Sequence, residues 1–396
     1  MNPILHYLKE IFASKRILGA NPELLHLVKA EALLQQLVAQ KRVPGLAITV
    51  LKDGKTVFQK GYGYADLEKK KFVDPQKTIF RIASISKPIA ATALGIMVEE
   101  GIMHLDASFY DYVPYYPKKR WDFTIRQLAS HTAGIRGYRG KEFGFNEPFS
   151  IKESLVLFQD DELVFEPGKG YLYNSFDWVL ISLAMQEASG IPFEKYVQEK
   201  VLIPLGMQNT VVPQSQPEGN RGLGAKNIVP SKPVGSSGVE NQTEQQNPVS
   251  TPFDLTDSIA SFYTKNKSGF KEAIPVNNFY KLAGGGYLST SEDVAKLGQA
   301  YLENKFLDGA TKTELLTAQT ILGKSTFYGL GWQVSEDVKG RTFYGHIGSS
   351  VGAYSNFFVY PNEQLVACVL INATDPKVQE ALDEVVDAFF HCSEIG

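Results

Sequence analysis

Phe80-Arg81-Ile82-Ala83-Ser84-Ile85-Ser86-Lys87-Pro88 sets a serine three residues ahead of a lysine, with a proline directly after. Proline has no N–H and is accepted only in the first turn of a helix, so a helix must begin close to Ser84. Ser84 and Lys87 then share one face, a single turn apart. The hydroxyl sits at the positive end of the helix dipole, where a developing anion is stabilised. The helix continues with Ile89, Ala90, Ala91, Ala93, Leu94, Ile96 and Met97, an apolar surround that desolvates an amine and lowers its pKa. A serine becomes nucleophilic beside such a base.

Spacing alone does not single out this pair, because Ser268-Gly269-Phe270-Lys271 repeats it in a polar stretch. Two runs further along the chain do. Pro167-Gly168-Lys169-Gly170-Tyr171-Leu172-Tyr173-Asn174-Ser175 brings a tyrosine and two small polar residues to the start of a helix. Tyr344-Gly345-His346-Ile347-Gly348-Ser349 reads as a strand whose glycines admit a ligand close to the backbone.

Taken together, these runs resemble the serine β-lactamase-like and penicillin-binding-protein family, with its class C β-lactamases, D,D-peptidases, D-aminopeptidases and esterases. The family's Ser-x-x-Lys, Tyr-x-Asn and (Lys/His)-x-Gly motifs all have counterparts in order, the second altered. The resemblance runs from about Val43 to Ala373. It includes His131-Thr132-Ala133-Gly134, Pro204-Leu205-Gly206-Met207, Ala283-Gly284-Gly285-Gly286 and Gly329-Leu330-Gly331-Trp332. Its nearest likeness, through Arg81 to Lys87, is the branch of the mitochondrial β-lactamase-like protein. The resemblance implies that Ser84 is the acylated nucleophile, Lys87 its base and Tyr173 the proton shuttle. Ser175, His346, Gly348 and Ser349 would line the substrate side, and the N–H groups of Ser84 and Ser349 would form the oxyanion hole.

The second motif departs from the family, with Asn174 in the middle and Ser175 in the place of asparagine. Either residue alternatively caps the helix that begins there. His346 stands where penicillin-recognising relatives commonly carry a lysine. A neutral imidazole there anchors a carboxylate weakly, with Arg136 and Arg139 as alternative carriers of that charge. The implied activity is hydrolysis of esters, amides or peptides with poor penicillinase activity. A β-lactamase or D-alanyl-D-alanine carboxypeptidase is the alternative, and a catalytically idle ligand-binding or assembly-forming relative the alternative of another class.

The fold expected is mixed α/β (α+β), with an antiparallel sheet built from both chain ends and flanked by helices. Asp53-Gly54 between two strand-like runs marks a hairpin. Thr342–His346, Ala353–Tyr360 and Leu365–Ile371 read as a meander, with helices from about Pro22 to Lys41 and Pro376 to Phe390. The expected organisation is an extension 1–20, a sheet region 21–105 with 280–396, and a mainly helical region 106–279. Residues 212–251, rich in Pro, Gly, Ser, Gln and Asn, read as a long irregular loop within it.

The 396 residues carry a formal net charge of −3, with 43% hydrophobic and 21% charged residues. That balance gives no reason to expect a nucleic-acid partner. Two cysteines, Cys368 in an apolar run and Cys392, exclude a disulfide scaffold. No His-Glu-x-x-His or other metal spacing occurs, so no cofactor is expected, and His131 reads as holding a turn. Tyr138, Phe143, Phe145 and Phe149 form either a pocket wall or an anchor to the core. No apolar stretch is long enough to span a membrane. Met1–Ala20 lacks a continuous apolar signal core, so an extracytoplasmic location is implied by the resemblance alone. The expected partner is a small-molecule or peptide substrate; oligomeric state is left open.

Overall fold

A two-residue loop with both φ angles positive matches the twist of the strands it joins, and Asp53-Gly54 provides it at +51° and +75°. It links strand β1 (Gly45–Lys52) to β2 (Lys55–Asp66), and a short β3 (Lys71–Phe72) comes next. The other end of the chain supplies β4 (Gln333–Glu336), β5 (Thr342–Ser350), β6 (Ala353–Tyr360) and β7 (Leu365–Ile371). They form one antiparallel sheet in the order β4-β5-β6-β7-β1-β2-β3. The expected sheet from both chain ends is therefore present, widened by the short β3 and β4 that the hydrophobic pattern did not mark.

The computed structural model describes residues 22–213, 255–303 and 305–390. The extension 1–20, Asn21, His6, His391, Cys392 and all but the start of 212–251 lie outside them. The chain divides into two units: Val43–Pro376, and the residues up to Arg42 together with those from Lys377. In the smaller unit, helix α1 (Pro22–Ala39) packs against the C-terminal helix Gln379–Phe389, with Lys29 Nζ 2.5 Å from Glu384 Oε1.

Within Val43–Pro376, register carries the centre of the sheet to the site. Thr49 pairs with Cys368, Cys368 with Phe357, and Phe357 with His346. β7 is buried along its whole length, and burial pushes the Cys368 thiol well up, which suits a small buried hydrophobe. Helix α2 (Ser86–Glu99) and helix α3 (Phe176–Ser189) belong to the apolar core beside the sheet. Ser268 of the second Ser-x-x-Lys lies in the turn of a small exposed hairpin, far from any helix start. No described helix is long and apolar enough to cross a membrane.

Helix α4 (Ser291–Glu303) lies on β1, β6 and β7. Gly298 makes that approach possible. A Cβ there would sit 2.6 Å from Val366 Cγ1 and 2.9 Å from Phe357 Cε2, so any side chain overpacks the sheet. Gly298→Val is expected to lower stability by about 1–3 kcal/mol, read as a fall in the urea midpoint. An unchanged midpoint would show that the helix can lift away freely.

Candidate active site

The turn that carries Ser84 has a strained backbone. Ala83 has φ +47°, which costs a non-glycine residue about 1–2 kcal/mol. It is held in place from two sides. Ser355 Oγ donates to Ile82 O at 2.8 Å, and Ile82 N donates to Tyr287 O. Behind it lies Gly348 of β5. A Cβ at Gly348 would meet Ser355 Oγ at 2.2 Å, Ile82 O at 2.6 Å and Ser84 N at 3.0 Å. The missing side chain is what lets the strand pass directly behind the serine.

From this turn the chain enters α2, with Pro88 in its first turn as the sequence requires. Lys87 is fully buried. Its Nζ donates to Ser84 Oγ at 3.1 Å, Tyr173 Oη at 2.8 Å and the Gly284 carbonyl at 2.6 Å. Tyr173 Oη donates in turn to Ser84 Oγ at 2.7 Å. All three partners of the amine are neutral oxygens. Burial therefore dominates and brings the Lys87 amine down to about 7, against a smaller opposing pull from Asp177. Desolvation pushes the Tyr173 phenol the other way, well above its ordinary value, although the side chain is 38% exposed and lines the cleft.

Tyr173 is placed by the residues around the start of α3. Leu172 N donates to His131 O at 2.9 Å, and the His131 backbone sits at φ +62°. His131 thus holds a turn, as its motif suggested. Its ring does more: it packs 4.6 Å from the Tyr173 ring, and Nδ1 lies 2.7 Å from Asp177 Oδ2. Burial holds His131 neutral and raises the Asp177 carboxyl well above its ordinary range. Asn174 accepts from Asp177 N at 2.8 Å and donates to Asp177 Oδ2 at 2.7 Å. The capping bond of α3 therefore comes from Asn174, while half-buried Ser175 lines the cleft.

The opposite wall is β5. His346 is buried, and both ring nitrogens are engaged. Nδ1 lies 2.6 Å from the Ile347 carbonyl, an acceptor only, so Nδ1 carries the proton and Nε2 accepts from Tyr328 Oη at 2.9 Å. Burial drives the imidazole down to about 3. It is a neutral, fully occupied side chain.

Ser84, Tyr173, Ser175, His346 and Ser349 line one cleft of about 590 Å³, with Lys87 and Gly348 directly behind its wall. Tyr138 and Phe143 also line it, whereas Phe145 and Phe149 stack on each other at 5.5 Å, and Phe145 meets Tyr280. Arg136 and Arg139 do not supply a free charge. Arg136 is paired with Asp161 and Glu142 at 2.6 and 2.7 Å, and Arg139 with Asp161 at 2.6 Å. Sequence reasoning quoted Gly284 without a role and missed Asp177, Tyr328 and Lys281. Asp177 had a signal, as an acid inside the apolar run Phe176–Met185. Among the described residues no group of His, Cys, Asp and Glu is arranged to hold a metal ion.

A sequence model of the family described as Beta-lactamase matches residues 30–389. The serine beta-lactamase-like protein LACTB, mitochondrial, of Homo sapiens is 27% identical over 445 residues, covering 88% of this chain and 73% of that protein. Among solved structures, the octameric penicillin-binding protein homologue from Pyrococcus abyssi superposes with a TM-score of 0.68 at 24% identity. That match covers 88% of this chain and 73% of the other. The D-amino acid amidase from Ochrobactrum anthropi SV3, complexed with D-phenylalanine, gives 0.72 at 19% identity over 92% and 98%. Both share this fold.

The depressed amine has a consequence for stability. Lys87 falls from 10.5 in the open chain to about 7 when folded, so the unfolded chain binds more protons between those values. Its cost to folding is full below about 7 and fades as pH rises toward 10.5. Lys87→Met removes that cost. The difference in melting temperature, variant minus wild type, should be more positive at pH 6 than at pH 9. A difference independent of pH would show that the amine is not desolvated.

Proposed function

The chain belongs to the beta-lactamase family, and from that premise we propose that it cleaves ester, amide or peptide bonds through an acyl-enzyme on Ser84. The observation that carries this reading is the closed triangle of Ser84 Oγ, Lys87 Nζ and Tyr173 Oη, at 2.7, 2.8 and 3.1 Å. Neutral Lys87 takes the Ser84 proton as Oγ bonds to the substrate carbonyl carbon. The carbonyl oxygen gains the charge, facing the N–H groups of Ser84 and Ser349. On collapse the bond to the leaving group breaks, and Tyr173 passes it a proton that Lys87 replaces. Water then repeats the sequence on the acyl-enzyme and frees Ser84.

The third motif lacks the cation that would hold a penicillin carboxylate against β5. His346 is neutral and both its nitrogens are occupied, so β5 offers no cation to a substrate carboxylate. That the amidase relative was solved with D-phenylalanine makes aminoacyl amides a natural class to assay.

A fluorophosphonate probe should label Ser84 alone, as read by intact mass and peptide mapping. Labelling that persists in Ser84→Ala would put the nucleophile elsewhere. Lys87→Ala and Tyr173→Phe should each lower kcat by at least about a hundredfold, the scale of a general acid–base group, with smaller effects on KM. Near-native turnover in either would remove its role. His346→Lys should raise kcat/KM for a chromogenic cephalosporin relative to a neutral short-chain p-nitrophenyl ester; no gain would contradict the reading of His346.

A further inference from the structure

Lys281 is only 5% exposed, and what remains open faces the cleft that holds Ser84. Among the described residues no hydrogen bond or ion pair reaches its amine. Its contacts are the rings of Tyr138 and Tyr280, 5.0 and 5.5 Å from Nζ. Two aromatic faces suit an amine, yet they leave its hydrogen-bonding capacity unused, and a buried donor without a partner is costly.

The acids on this side bond to other groups and form no ion pair with Lys281. Glu142 is held by Arg136 through both oxygens and by the Arg139 N–H. Asp177 is held by His131 and Asn174. The chain therefore keeps the Lys281 side chain on a cleft wall, and no anion among the described residues pairs with it.

We propose that Lys281 is a specificity-determining residue that receives a carboxylate of the substrate, so that the preferred substrates are esters or amides bearing a carboxylate near the scissile bond. This rests on the hydrolase reading of the same cleft. It places the substrate's charge on the wall formed by Lys281, Tyr138 and Ser175 instead of on β5. A lysine is a point charge and does not dictate carboxylate orientation, so the carboxylate can belong to the acyl or the leaving portion.

The test uses the full chain as Ser84→Ala, which binds without turnover. Glutamyl and glutaminyl p-nitroanilide differ only in charge on the acyl side. The alanyl amides of 4-aminobenzoate and 4-aminobenzamide differ only in charge on the leaving side. In at least one pair the carboxylate member should bind roughly tenfold tighter or more, the scale of a charge-assisted hydrogen bond. The preferred pair identifies the side. Adding Lys281→Met should abolish that preference, and adding Lys281→Arg should retain most of it. Equal binding within both pairs, or a preference that survives Lys281→Met, overturns the proposal. Because equal binding in Ser84→Ala is itself decisive, a misfolded Lys281 variant does not shield the idea. Failure of the hydrolase reading appears separately, as absence of fluorophosphonate labelling at Ser84 in the wild-type chain.

Discussion

The site depends on one amine being taken out of water. Lys87 is completely buried, and the three oxygens it meets are a hydroxyl, a phenol and a carbonyl. None returns the hydration energy of an ammonium. The amine therefore gives up its proton near neutrality and acquires a free lone pair beside Ser84. An aspartate in direct contact would have kept the lysine charged and inert as a base. Asp177 is close enough to exert a pull, but it makes no direct contact with the amine and bonds through Oδ2 to His131 and Asn174.

Much of the surrounding structure serves this arrangement. The strained backbone at Ala83 aims Ser84 into the cleft, and the sheet clamps it through Ser355 and the bare backbone of Gly348. The aromatic rings of His131, Tyr328 and His346 surround Tyr173 at 4.6 to 5.8 Å. These ring contacts limit the orientations open to the phenol. The same burial that neutralises Lys87 also neutralises His131 and His346, and among the described residues Lys281 is the one other basic side chain on the cleft wall.

The parts legible in the sequence were those with local causes. Pro88 fixes where α2 begins, Asp53-Gly54 fixes a hairpin, and alternation with apolar runs marks β5 to β7. Lys87 could be expected to be buried because the helix around it is apolar. What stayed hidden depends on long-range neighbours. Gly284 offers its carbonyl to Lys87 across nearly two hundred residues, and a backbone acceptor leaves no trace in side-chain pattern. Arg136 and Arg139 looked available because their acidic partners Asp161 and Glu142 are brought to them only by the fold. Lys281, in Phe279-Tyr280-Lys281-Leu282, resembles any surface lysine until the cleft forms. Which of Asn174 and Ser175 caps α3 was open in the sequence for a similar reason, since Asp177 draws the asparagine inward.

The central claim is that Lys87 acts as a neutral base because it is desolvated, and the pH dependence of Ser84 acylation tests it most directly. The second-order rate of labelling by a neutral fluorophosphonate, followed by intact mass, should rise about tenfold per pH unit at low pH and level off through a midpoint near the amine's value of about 7. A rate independent of pH between 5 and 9, or a midpoint near that of an ordinary lysine, would contradict the account.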